Sequence, residues 1–127
     1  MAQALYIVAK RRENVVILPT KLRNAVLKAC IFSQEETLEF HLRTVIVNGC
    51  KRGCSGFIKN LENGAVVYVN TERPVYSGLK NYMYRYADDI HDYRGYRNCW
   101  ADTLEELSQG LAKLLKTSDS ETKEIRV

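Results

Sequence analysis

Between residues 88 and 92 the chain gathers Asp88, Asp89, His91 and Asp92. Three carboxylates and an imidazole at that density suit a hard divalent cation such as Mg²⁺ or Mn²⁺. A small metal-dependent nuclease built on them would also need a group to activate water, and His91 and Lys80 are the candidates. The same residues read more simply as an acidic turn. Asp88 or Asp92 would then cap local backbone N–H groups and pair with Arg94 or Arg97. The turn is the reading adopted, with the nuclease as second alternative, and no catalytic residue, metal or cofactor is assigned.

The surrounding segment, residues 73–100, holds six of the eight tyrosines (Tyr76, Tyr82, Tyr84, Tyr86, Tyr93 and Tyr96) and the single tryptophan, Trp100. Tyr82, Tyr84 and Tyr86 recur every second residue, so in a strand they share one face, with Met83, Arg85 and Ala87 on the other. Rings with polar tips suit a half-wet interface, and Tyr and Arg are enriched where binding energy concentrates. The candidate binding set is therefore Tyr82, Tyr84, Arg85, Tyr86, Tyr93, Arg94, Tyr96, Arg97 and Trp100. The same rings could stack the bases of a single-stranded nucleic acid or a nucleotide, with Arg85, Arg94 and Arg97 on phosphates. A third reading covers the tyrosine row with a helix and leaves only the hydroxyls at a rim.

Arg85-Tyr86-Ala87-Asp88-Asp89 resembles the R-Y-A-D-D box of reverse transcriptases of the group II intron type. The resemblance implies paired aspartates in a hairpin turn that bind catalytic Mg²⁺. It covers five of 127 residues. Such a two-metal site needs a further aspartate from an earlier strand, and no Asp precedes Asp88. The chain then continues Ile90-His91-Asp92-Tyr93-Arg94 where that family has a hydrophobic return strand, and its length falls short of fingers, palm and thumb. Polymerase activity is rejected on these grounds.

The four cysteines are Cys30, Cys50, Cys54 and Cys99. Cys50 and Cys54 have a C-x₃-C spacing, but zinc sites show two close ligand pairs, and Cys30 and Cys99 stand alone. No zinc site is expected. Cys54-Ser55-Gly56 reads as part of a turn. The phosphate-binding G-x-x-x-x-G-K-[ST] loop, the G-x-G-x-x-G fingerprint and a nucleophile elbow are all absent.

These residues must be positioned by elements legible from periodicity. Ala4 to Val8 alternates as a short strand, and Val15 to Leu18 reads as a second. Thr20 is placed to cap a helix with Leu22, Ala25, Val26, Ala29 and Cys30 on one stripe. From Thr37 to Val47 the period is two, with Leu38, Phe40, Leu42, Thr44 and Ile46 on one face. Asn48-Gly49 and Arg52-Gly53 bracket a tight connection to a strand at Ser55 to Lys59. Asn63-Gly64 marks a hairpin to a strand at Ala65 to Asn70, both residues tolerating positive φ. The 73–100 segment adds an edge strand and a long loop. A last helix carries Leu104, Leu107, Leu111, Leu114 and Leu115 on its buried stripe, capped by Asp102 or Thr103 with Glu105 or Glu106 reaching back. Gly110 inside it costs about 1 kcal/mol relative to Ala, which a close approach by another chain segment would explain.

With 46% hydrophobic and 27% charged residues, the composition is that of a folded soluble domain. No apolar run reaches the ~20 residues that cross a bilayer, and the start of the chain lacks the basic residues of a secretory signal. A cytoplasmic protein with no membrane partner is expected. The net charge of +4 is uneven: residues 1–60 carry ten Lys or Arg against four Glu, and residues 61–127 carry nine against eleven Asp or Glu. The expected fold is α+β, a mostly antiparallel sheet of five or six strands with two helices packed on one face. It forms one domain over residues 1–117 with a polar tail at 118–127. The expected function is a small non-enzymatic binding or accessory protein acting on a protein partner through its Tyr/Arg-rich surface. That style suits phage or mobile-element inhibitors of the anti-defence type, including the anti-CRISPR proteins. Binding of nucleic acid or nucleotide is the first alternative, and the sequence leaves the oligomeric state open.

Overall fold

The structure, a computed structural model, describes residues 16–30, 37–72, 82–94 and 97–116. These form α1 (Pro19–Ala29), β1 (Leu38–Val47), β2 (Cys50–Asn60), β3 (Val66–Asn70), β4 (Tyr82–Ala87), β5 (Cys99–Ala101) and α2 (Leu104–Lys116). The strands make a single antiparallel sheet in the order β1-β2-β3-β4-β5, an α+β arrangement. The strand expected over Ala4 to Val8 and the tail at 118–127 lie outside the described residues.

Residues Val16 to Leu18 are not a strand but an irregular approach to α1. Ile17 is nonetheless fully buried, and its carbonyl accepts a 2.9 Å hydrogen bond from the Thr71 hydroxyl. The same Thr71 oxygen accepts from the backbone N–H of Cys54 at 2.8 Å. One buried hydroxyl thus ties three distant segments together. The helix begins one residue before the expected cap. Leu18 occupies the N-cap without a side-chain bond and Pro19 opens the first turn, because proline brings no N–H to satisfy and its φ is already helical.

β1 and β2 join through a two-residue turn in which Asn48 and Gly49 adopt φ of 52° and 77°, the geometry that matches strand twist. β2 then runs unbroken from Cys50, so Arg52-Gly53 is not part of a loop. It supplies a bulge: Val45 faces Gly53 and Ile46 faces Lys51, leaving Arg52 extra. At Gly56 (φ 149°) the β1 backbone comes so close that any Cβ would collide with the His41 carbonyl.

In the β2–β3 connection only Gly64 takes positive φ, at 77°. Asn63 works through its side chain: Oδ1 accepts from Ala65 N–H at 2.8 Å, and Nδ2 donates to the Leu115 and Lys116 carbonyls at 2.9 and 3.3 Å. Buried Asn60 also donates to the Leu115 carbonyl, at 2.9 Å. The turn thereby satisfies carbonyls at the end of α2 that the helix itself cannot pair.

β4 is an interior strand, not an edge. It pairs with β3 on one side and with three-residue β5 on the other. At the start of α2, Thr103 Oγ1 accepts from Glu106 N–H at 3.1 Å, and the Glu106 carboxylate reaches back to Asp102 N–H at 3.0 Å, the reciprocal cap the sequence implies. Leu22 and Val26 of α1 and Leu107, Leu111 and Leu115 of α2 join Ile58, Val67, Val69, Tyr82 and Ala101 of the strands in one buried cluster. Each such leucine contributes about 1.5–3 kcal/mol relative to an exposed one.

Candidate binding face of the sheet

Cross-strand register decides where the tyrosine row goes. Val67 faces Tyr86 and Val69 faces Tyr84, so the tyrosines share the side of the sheet whose valines belong to the core. Tyr82 is fully buried. Tyr84 and Tyr86 are half-buried and pack against the same cluster. A methyl group at Gly110 of α2 would overlap the Tyr84 ring and hydroxyl; a side chain, not another backbone, uses the space that glycine leaves. Burial pushes the Tyr84 phenol up, and Cys99 and Glu106 add to the shift. The three rings are core and rim, and the open aromatic row expected of them does not exist.

The opposite side is built from Phe57, Tyr68, Arg85 and the turn that follows β4. Phe57 faces Tyr68 and Tyr68 faces Arg85 across the strands. The Arg85 side chain is only 2% exposed. Its guanidinium carbon lies 4.7 Å from the Tyr68 ring centre, Nη2 donates to the Asp92 carbonyl at 2.8 Å and Nη1 to the Tyr86 carbonyl at 3.1 Å. Its Nε is buried without a hydrogen-bond partner. A buried guanidinium that spends its donors on carbonyls of the turn fixes that turn on the sheet.

Residues 88–94 form the expected acidic turn. Asp92 Oδ2 accepts from Asp88 N–H at 2.8 Å, and Oδ1 accepts from the backbone N–H and Nε of Arg94, each at 3.2 Å. Asp89 Oδ1 accepts from His91 N–H at 2.8 Å, and the Arg94 guanidinium also pairs with Asp88. The Asp88 N–H above all, then the Arg94 donors, hold the Asp92 carboxyl down at about 2, although burial opposes them. Its carboxylate is therefore spent on the turn. Among the described residues no three His, Cys, Asp or Glu side chains converge as metal ligands, and Lys80 lies outside them.

Arg85 and Asp92 together present Tyr93. Its ring stands edge-on to Phe57 at 5.1 Å and to Tyr68 at 6.1 Å, yet Tyr93 is 62% exposed. Trp100 pairs with Met83 and is 41% exposed. Arg94 and Arg97 are also exposed, Arg97 with φ of 58°. Of the candidate set, then, Tyr93, Arg94, Arg97 and Trp100 reach the surface; Tyr82, Tyr84, Arg85 and Tyr86 do not offer themselves as an open row. Tyr96 lies outside the described residues. Of the three arginines considered for phosphates, Arg85 is enclosed, Arg94 is exposed but pairs with Asp88 and Asp92, and Arg97 is exposed.

Phe57 and Tyr68 are the members the sequence reading missed. In Val66-Val67-Tyr68-Val69-Asn70, Tyr68 alternates with the two central valines, which was the signal that it faces away from them. Burial pushes the Cys30 thiol up to about 11 and raises those of Cys54 and half-buried Cys99. Comparison with protein families, with curated proteins and with solved structures found no match for the chain.

Proposed function

We propose that this chain is a non-enzymatic binding protein that engages a protein partner through exposed Tyr93, Arg94, Arg97 and Trp100. One observation carries the reading: Tyr93 is a large ring kept at the surface while wedged against Phe57 and Tyr68, on a turn anchored by buried Arg85. A ring already immobilised surrenders little freedom when a partner covers it. Protonated interior thiols and carboxylates engaged by their own turn favour binding over catalysis. The small size and aromatic surface suit an accessory or inhibitor protein of a phage or mobile element working in the cytoplasm.

The test is affinity capture from cell extract with the immobilised chain, comparing wild type with Tyr93→Ala/Trp100→Ala at matched thermal stability. A captured protein lost in the double variant supports the reading; a captured set unaffected by both substitutions overturns it.

A further inference from the structure

Most of the chain's charge excess lies in one element. The β1–β2 hairpin, residues 38–60, carries four Lys or Arg (Arg43, Lys51, Arg52 and Lys59) and one acid, Glu39, a net +3 of the formal +4. Lys59 sits opposite Glu39, but Arg43, Lys51 and Arg52 form no ion pair among the described residues.

Lys51 and Arg52 lie at the end of the hairpin that leaves the sheet, with Arg43 at its base, opposite Ser55. β3 pairs only with Ser55 to Lys59 of β2, so beyond Gly53 the hairpin is a two-stranded ribbon among the described residues. Ile46 to Arg52 are all exposed, and Ile46 and Val47 near the tip are 59% and 36% exposed. Four residues of strand project roughly 13 Å. The Arg52 bulge adds local twist.

We propose that this ribbon is an arm that docks on duplex DNA. Uncompensated cations call for a polyanion, and a duplex is a regular one. The major groove, about 12 Å wide, admits a two-stranded ribbon. Arg43, Lys51 and Arg52 reach phosphates, while Ile46 meets the thymine methyl groups that line the groove. Single-stranded nucleic acid is disfavoured because no Phe, Tyr or Trp lies between His41 and Gly56 to stack a base. The deep, narrow major groove of an RNA duplex excludes a ribbon.

The experiment is fluorescence anisotropy of a labelled A/T-rich DNA duplex titrated with the full chain across a salt series. Neutralising three phosphates gives a slope of log K on log salt of about −2.7. Lys51→Gln/Arg52→Gln, both exposed and checked for folding by circular dichroism, should flatten the slope by about two-thirds. Ile46→Ala should weaken binding several-fold with the slope unchanged, as should replacing thymine by uracil in the duplex. No binding, a slope indifferent to Lys51 and Arg52, or tighter binding to polyglutamate, single-stranded DNA, duplex RNA or phosphatidylserine vesicles overturns the proposal. Tyr93→Ala/Trp100→Ala should leave DNA binding intact, so the arm and the Tyr93 face stand or fall separately.

Discussion

The central guanidinium carbon of Arg85 lies over the Tyr68 ring, 4.7 Å from its centre, while two of its nitrogens donate to the carbonyls of Tyr86 and Asp92. Arg85→Ala removes those charged donors, so it should lower stability by about 2–3 kcal/mol and increase hydrogen exchange across residues 88–94. Arg85→Lys should recover less than half, since an ammonium cannot bridge two carbonyls while stacking on a ring. Urea unfolding of the three proteins, followed by exchange, checks both statements.

Asp92 makes stability depend on acid. Its folded pKa of about 2 lies below the ordinary value of 3.8, so the ionised form is the one the fold favours. The stabilisation is complete above about pH 5, begins to fade as the unfolded chain protonates, and is gone once pH has dropped through 2. The thermal midpoint should therefore fall between about pH 4 and 2, and Asp92→Asn should reduce that fall. Calorimetry across the range would contradict the assignment if the two curves ran parallel.

Gly110 and Tyr84 are coupled by space. In an exposed helix, Gly→Ala stabilises by about 1 kcal/mol. Here the new methyl would occupy the position of the Tyr84 ring, and overpacking of this kind costs about 1–3 kcal/mol. Gly110→Ala alone should destabilise; combined with Tyr84→Ala, which vacates the space, it should cease to do so. A double-mutant cycle in urea reads the coupling directly.

Asn60 is the buried half of the cap on α2. Its Nδ2 donates to the Leu115 carbonyl at 2.9 Å and its Oδ1 accepts from Glu62 N–H at 3.0 Å. Asn60→Ala should cost about 1–3 kcal/mol by removing two hydrogen bonds, one to the Leu115 carbonyl that Asn63 also serves and one from Glu62 N–H. Asn63→Ala, nearer solvent, should cost less, and chemical denaturation of the pair measures the difference.

Much of the architecture was legible because it rests on local periodicity. β1 ends at Val47 and α2 spans Leu104–Lys116, as alternation and leucine spacing imply. Alternation also separates Tyr82, Tyr84 and Tyr86 from Arg85, but it cannot say which set faces the core. That is settled by the pairing of Val67 with Tyr86 and Val69 with Tyr84, contacts between residues far apart in sequence. A charged residue ordinarily marks the wet side of a strand; Arg85 breaks that rule because Tyr68 and two carbonyls replace its water. The Arg52 bulge was equally hidden, since an extra residue shows only once two strands are aligned.

β1 is the outermost strand of the sheet among the described residues. Its last four residues, Thr44-Val45-Ile46-Val47, combine β-branched side chains with unpaired backbone donors and acceptors, the template on which identical chains add to one another. Arg43, Lys51 and Arg52 flank that stretch and repel a second copy, as gatekeepers do. Their protection is electrostatic and weakens as the Debye length shrinks with salt. Concentrated solutions should therefore stay clear at low ionic strength and turn turbid when it is raised, sooner still if Lys51 is neutralised.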